Sequence, residues 1–449
     1  WETDSLLQEM NDAMGHAVGI QPPAGWICRI TPDGKDWVMV ASGFRNAVDI
    51  AIKREGELFT YDSDLEFDVG TPWYRPTRVN HVTSASEFGW RPGSAKWPDY
   101  FEDSNGAVIN IGPGSPTGIS FGHHSNFPAP YQDKLVICAW TFGSIYLIDM
   151  EEDGSSYVGT KTEFLNGQPL NISAMRFGPD GHMYFLVGGR NTDSRLYRIR
   201  YVGPPQKGAG KRLVANQDLR DLRHSLEVFH GNPHAGNTAI TRAWPHLSHP
   251  DRNIRYAARL AIENQPVSLW QERVLREEDQ RALIHASIAL CRHGDPSLSH
   301  RILKKLNQIP FDSLAAEDQL ALLRAYSLCF IRLGQPAAEL INVVIGNLDP
   351  FFPTGDEQVN TELCRVLSYL DAPQVVKKTI SLMKITETRT LDYDKEMLSR
   401  HEYGKEILKT MANTPNSQNI QYAYSLRRVR NGWTLSDRKY FFSWMNETL

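Results

Sequence analysis

Near residue 215 the spacing of apolar residues changes character, and no single kind of layer satisfies both spacings, so the chain has to fold as a β part followed by an α part. Before that point the apolar residues come in short alternating runs, among them Trp26-Ile-Cys-Arg-Ile30, Leu135-Val-Ile-Cys-Ala139 and His182-Met-Tyr-Phe-Leu-Val187. These runs are rich in β-branched and aromatic residues and are bounded by Gly, Pro, Asp and Asn, the pattern of antiparallel strands.

The strands recur as a unit. Gly25-Trp-Ile-Cys-Arg-Ile30, Gly143-Ser-Ile-Tyr-Leu-Ile148 and Ser194-Arg-Leu-Tyr-Arg-Ile199 resemble one another. A second repeat relates Val48-Asp-Ile-Ala-Ile52 with Glu57-Leu-Phe-Thr60 to Ser173-Ala-Met-Arg-Phe177 with His182-Met-Tyr-Phe185, each pair split by a turn containing Gly. Repeats of short strands read as blades, and residues 1–203 are expected to form a partial β-propeller of about three to four blades. Open blade edges predict that the rest of the ring is encoded upstream of residue 1, and a start at Trp1 predicts a processed product or a segment of something longer.

Residues 204–217 hold the Pro/Gly linker Pro204-Pro-Gln-Lys-Gly-Ala-Gly210, and 218–449 read as paired helices separated by Asp-Pro, Gly-Asp-Pro and Gly-Gln-Pro turns. In the clearest unit, Leu247-Ser-His-Pro-Asp-Arg-Asn-Ile-Arg-Tyr-Ala-Ala-Arg-Leu-Ala-Ile262, a Pro-Asp turn opens a helix with small Ala on its packed face and Arg255 near the inter-helix turn. This predicts a HEAT-like α-solenoid, with an ordinary helical bundle as the alternative.

A net charge of −4 and no long basic run give no electrostatic reason to expect nucleic acid as a partner, and no apolar run is long enough to span a bilayer. The five cysteines form no CxxC, CxxCH or Cys/His cluster, so neither zinc nor covalent haem is expected within the chain. Cys291, Cys329 and Cys364 fall in apolar helical runs and are expected to be buried.

The stretch richest in chemistry is Ser42-Gly-Phe-Arg-Asn-Ala-Val-Asp-Ile-Ala51. Arg45 and Asn46, opening an inner strand, would point at the axis, where a guanidinium and an amide can hold carboxylates or quinone oxygens. Asp62, Asp64, Glu66 and Asp68 follow as oxygen ligands of the kind Ca²⁺ takes, although without EF-hand spacing. Read without a ligand, the same residues are ion pairs and strand-end caps. Arg190 follows two glycines and is placed to reach the central tunnel. Trp73, Tyr74, Arg75 and Arg78 make an aromatic-basic loop suited to stacking on a sugar ring, or to packing a long connection. His123 and His124 lie in a turn, and the sequons at Asn171 and Asn446 read as chance matches.

The motifs GFRNAVDIA, GELFTYDSD, EFGWRPGS and GPDGHMYFLVGGR resemble those of soluble aldose-type dehydrogenases dependent on pyrroloquinoline quinone (PQQ). Nearly the whole chain is similar to planctomycete-type membrane-bound dehydrogenases, which place such a propeller before HEAT repeats and usually end in a c-type cytochrome domain. The resemblance implies PQQ contacts at Arg45 and Asn46, Ca²⁺ beside the quinone, and sugar and quinone neighbours at Phe88 and Trp90. It also implies a general-base histidine, for which His16 is the candidate here. Haem c would belong to a domain outside this sequence. The implied function is oxidation of a sugar or polyol in an extracytoplasmic compartment, with electrons passing to a cytochrome domain or partner. The competing reading is a non-catalytic propeller and solenoid that bind carbohydrate or protein, and a third is an assembly subunit.

Overall fold

A computed structural model describes residues 2–11, 15, 17–65, 74–190, 192–204, 215–386, 394–412 and 415–448. His16, Glu66, Asp68 and Trp73 of the expected site lie outside these, as does most of the expected linker. The described residues form a β region followed by an α region.

The strands are β1 (Gly25–Ile30), β2 (Trp37–Phe44), β3 (Ile50–Ile52), β4 (Leu58–Asp62), β5 (Thr77–Val82), β6 (Ser86–Glu87) and β7 (Ile109–Gly112), then β8 (Pro116–Phe121), β9 (Leu135–Ala139), β10 (Ser144–Asp153), β11 (Ser156–Asn166), β12 (Ile172–Phe177), β13 (Met183–Gly189) and β14 (Thr192–Ile199). They make four small sheets in chain order, β1-β2-β6, β3-β4-β5-β7, β8-β9-β10-β11 and β12-β13-β14. Neighbouring strands pair antiparallel except β2 with β6, where Ala41 and Ser42 lie beside Ser86 and Glu87 in parallel.

The first strands of the last three sheets, β3, β8 and β12, pack in that order. Gly118 in β8 permits the close approach, since a Cβ there would stand 2.8 Å from the backbone nitrogen of Met175 in β12. Phe59, Tyr61, Val79, Ile119, Phe121, Ile137 and Ile148 form the apolar core between the second and third sheets.

The helices are α1 (Ala129–Gln132), α2 (Gln217–Glu227), α3 (Gly236–Ala243), α4 (Arg252–Glu263), α5 (Gln271–Val274), α6 (Gln280–His293), α7 (Ser299–Leu306) and α8 (Ala316–Arg332), then α9 (Ala338–Leu348), α10 (Glu357–Tyr369), α11 (Val375–Ile385), α12 (Lys395–Ser399), α13 (Glu402–Ala412), α14 (Ser417–Leu426) and α15 (Leu435–Thr448). Five packings, α2 on α4, α4 on α6, α6 on α8, α8 on α10 and α10 on α14, build one layer; α3, α5, α7, α9 and α11 lie against it as a second. The Pro-Asp turn acts as the sequence suggests: the Asp251 carboxylate accepts from the Ile254 N–H and caps α4. Arg255 donates to the carbonyls of His249 and Pro250 at 2.9 Å each, closing the inter-helix turn. Cys291, Cys329 and Cys364 are buried among the helices.

The inner layer is seated on the β region. Arg223 of α2 donates to Glu57 at 2.7 Å, and His81 meets the other oxygen of that carboxylate at 2.7 Å. Burial opposes the Glu57 charge, but hydrogen bonds from His224 and His81 and the charge of Arg223 prevail and hold it well below the usual carboxylate range. Asp251, besides capping α4, accepts from the backbone N–H and the hydroxyl of Ser155 at the tip of the β10–β11 hairpin. Farther along, Arg252 binds three carbonyls of the loop over 99–104, and Arg255 pairs with the buried Glu102 at 3.3 Å. The loop over 99–104 is thus seated on the start of α4.

α12 and α13 depart from the helical array. Met397, Leu398 and Ile407 belong to the β region's core instead, so this segment lies across the sheets.

Candidate functional site

β2 ends in a turn that only glycine can make. Gly43 has φ +77°, and a Cβ there would stand 1.7 Å from a Glu87 carboxylate oxygen and 2.7 Å from the Phe88 nitrogen. The turn delivers Arg45 and Asn46 to the connection between β2 and β3, so the pair does not open a strand as expected but precedes β3 by several residues. Their backbone N–H groups donate to the two oxygens of Asp62, at 3.2 and 2.9 Å. Asp62 closes β4, is fully buried, and has Arg78 Nη2 3.7 Å away. Burial raises its carboxyl, while the Arg78 charge and the two N–H donors oppose the rise.

Asp64 stands 3.7 Å from the Arg45 guanidinium. Burial comes first among the causes that push its carboxyl up to about 7; the Asp62 charge adds to the rise and the Arg45 charge works against it.

Arg190 sits on the β13–β14 turn in the left-handed region, at φ 45°. Its guanidinium lies over the Trp140 ring, 5.4 Å from the centroid, and the Trp140 indole N–H donates to the Gly188 carbonyl at 2.8 Å. Tyr403 of α13 comes over this surface, with its ring centroid 6.3 Å from that of Phe142. Burial raises the Tyr403 phenol, the charge of Asp64 raises it further, and the charges of Arg45 and Arg190 oppose. Arg45 and Asp64, their side chains 24% and 15% exposed, thus form a partly open mouth, while Arg190 lies on Trp140 and Tyr403 of the α region, which sequence reading did not single out, packs near Phe142.

Other expected residues are elsewhere. Phe88 and Trp90, expected beside sugar and quinone, are in the core, 0% and 3% exposed; Phe88 stacks on Phe44 at 4.8 Å, so neither ring presents a face to a ligand. Arg78 is likewise buried, donating to the Phe88 carbonyl at 2.7 Å. Arg75 donates to the same carbonyl at 3.3 Å and lines a cleft away from the mouth with Tyr74. His123 and His124 follow the far end of β8; burial, then the Arg54 charge, pushes the His123 imidazole down to about 4.

Of the four expected metal ligands only Asp62 and Asp64 are among the described residues, and both oxygens of Asp62 accept backbone N–H bonds. No group of three or more His, Cys, Asp or Glu suited to a metal gathers among the described residues. Asp62 and Asp64 do not by themselves make a calcium site.

No known family profile and no curated protein matches the chain. Among solved structures it is similar to the PQQ-bound aldose sugar dehydrogenase of Streptomyces coelicolor, at 16% identity over 39% of this chain and 51% of that one, with a TM-score of 0.29. It is also similar to an oxidoreductase described as a glucose dehydrogenase from Thermus thermophilus, at 18% identity over 41% and 52%, TM-score 0.28. A further glucose dehydrogenase matches at 18% identity over 44% and 56%, TM-score 0.32. The chain spans about half the length of each of these.

Proposed function

We propose that the β region is part of a quinoprotein-type propeller with PQQ at the mouth, that the helical array is of HEAT type, and that the chain serves oxidation of a sugar or polyol. Electrons would pass to a cytochrome domain or partner, in an extracytoplasmic compartment. The observation that supports this reading is the Arg45–Asp64 pair at 3.7 Å on a segment whose Arg45 and Asn46 N–H groups are both held by the buried Asp62.

The donor set suits a planar polycarboxylate. Arg45 and Arg190 would hold its carboxylates, Asn46 would add an amide donor, and the Trp140 ring beneath Arg190 gives that guanidinium a flat support. When bound, the quinone supplies the hydride acceptor. Asp62 keeps the Arg45-Asn46 backbone in place by taking both N–H groups, so the pair is positioned before any ligand arrives. Asp64, with its carboxyl near 7, can accept the proton of a substrate hydroxyl at Oδ1 close to neutral pH. Among the described residues no helix is long and apolar enough to cross a membrane.

Absorbance titration of the chain with PQQ in the presence of Ca²⁺ tests the reading. Saturable binding that an Arg45→Ala/Asn46→Ala variant loses is expected. A folded chain that shows no saturable binding overturns the proposal.

A further inference from the structure

The aromatic-basic loop after residue 73 faces a cleft between the sheets and the helical array. The cleft holds about 330 Å³, within the lower range of small-ligand pockets. Its β side carries Tyr74, Arg75 and Arg78, and its α side carries Gln358 and Arg365 of α10 with Gln418 and Gln421 of α14. Lys96, Asp99 and Tyr100 close it from the loop over 94–100.

Charge and donor accounting define what such a cleft can take. Four cations, Arg75, Arg78, Lys96 and Arg365, line it against one carboxylate, Asp99. The acids that balance Arg78 and Arg365, Asp62 and Glu362, are buried and are not among the lining residues. Among the described residues the buried Nε–H groups of Arg78 and of Arg365 have no acceptor, a costly state for a charged donor. Burial lowers both Arg75 and Arg78, and the neighbouring guanidinium charge of Arg75 adds to the effect at Arg78, so an entering anion would relieve a repulsion already present. Around the cations stand groups that suit hydroxyls and a ring face. The Gln421 carbonyl accepts from Arg365 at 2.6 Å, which fixes the amide and leaves its NH₂ as a donor. Gln418 is held by the Thr361 hydroxyl at 2.7 Å, and the half-buried Tyr100 donates its hydroxyl to Glu362 at 2.7 Å, which fixes its ring.

We propose that this cleft binds a carboxylate-bearing saccharide, a sugar acid whose carboxylate meets the arginines while its hydroxyls meet the glutamines. The site is separate from the Arg45 mouth and does not rest on the quinone reading. It is joined to the mouth by one buried contact, since Arg78 lines the cleft and also faces the carboxylate that holds the Arg45 and Asn46 N–H groups.

Calorimetric titration of the chain with D-glucuronate, D-glucose and inorganic phosphate tests the assignment. Saturable glucuronate binding is expected, with glucose at least tenfold weaker and phosphate unable to displace the sugar acid at equal concentration. Arg365→Gln should weaken glucuronate binding at least tenfold, and Gln421→Ala severalfold. Should Arg365→Gln fail to fold, Gln421→Ala decides alone, because its side chain lies at the surface of the cleft. No saturable binding, glucose bound as well as glucuronate, phosphate competing on equal terms, or unchanged affinity in a folded variant would each overturn the proposal. Arg45→Ala/Asn46→Ala is expected to leave glucuronate binding intact, which separates failure of this inference from failure of the quinone reading.

Discussion

Arg324 grips Asp103 with two parallel bonds, Nε to Oδ1 at 2.9 Å and Nη2 to Oδ2 at 2.8 Å, between side chains 1% and 0% exposed. The partners are 221 residues apart in sequence, one on α8 and the other on a β-region loop, and Arg292 of α6 reaches the same carboxylate at 3.2 Å. Removing the acid would leave the buried Arg324 guanidinium without a carboxylate and facing the charge of Arg292. Asp103→Ala is expected to cost about 3–5 kcal/mol, read from a lowered midpoint in urea denaturation. Replacing Arg324 with Met in the same chain should recover part of that loss, since an apolar pair has no unpaired charge. A loss near that of a surface pair would mean that water reaches the contact.

Glu263 gives the same face a limit in acid. Burial opposes its charge, but Arg259, Arg292 and His293 prevail and hold the carboxyl down to about 2, against an ordinary 4.5. Because the unfolded chain binds this proton more readily, the stabilisation is complete above about pH 4.5 and is lost as pH falls towards 2, on the order of 3 kcal/mol in all. Denaturation midpoints measured from pH 6 to 2 should fall more steeply for the parent chain than for Glu263→Gln, which starts less stable and changes less.

Phe88 separates a core role from a ligand role. Its ring is stacked on Phe44 and packed under Arg78, with no exposed face. Phe88→Ala is expected to cost about 3–5 kcal/mol in chemical denaturation through the cavity it leaves. Titration of the folded fraction with glucose should match the parent, because the ring does not reach ligand. A selective loss of sugar binding at unchanged stability would contradict the packing.

Local features of the fold were legible in the sequence. The runs at Trp26, Val48, Leu135, Ser173 and Ser194 became β1, β3, β9, β12 and β14, because alternation and Gly-bounded turns are written within a few residues. The Pro-Asp turn before α4 and the place of Arg255 near it were readable for the same reason, although the Asp251 cap and the Arg255 bonds to the turn's carbonyls were not. The seat between the two regions was not. Glu57 with Arg223, and Asp103 with Arg324, join residues more than a hundred apart, and no periodicity encodes such a pairing. A signal did exist in Trp97-Pro-Asp-Tyr-Phe-Glu-Asp103, where aromatics and acids crowd a Pro-bounded loop that is too apolar for free solvent. At the mouth, Arg45 and Asn46 stood out by residue type. Phe88 and Trp90 were misplaced because an aromatic-Gly-Trp run looks alike whether its rings face a ligand or a core.

Asp64 carries a pH dependence opposite in sign to that of Glu263. Its carboxyl is raised from 3.8 to about 7, first by burial and then by the Asp62 charge, against the pull of Arg45. Between these values the folded chain holds a proton that the unfolded chain has released, so stability falls as pH rises through the interval. The side chain is 15% exposed, so solvent screens part of the effect, leaving on the order of 3 kcal/mol. Asp64→Asn removes the ionisation without removing the shape. The variant should match the parent near pH 4 and exceed it in stability at pH 8, with the difference opening across neutrality in denaturation midpoints. If Asp64 is the proton acceptor for a substrate hydroxyl, the same variant should lose turnover while PQQ affinity stays within severalfold of the parent, since Arg45 and Asn46 remain in place. Parallel pH curves for the two proteins would show that Asp64 ionises with its ordinary value, and the mouth would then lack a group poised to take a proton near pH 7.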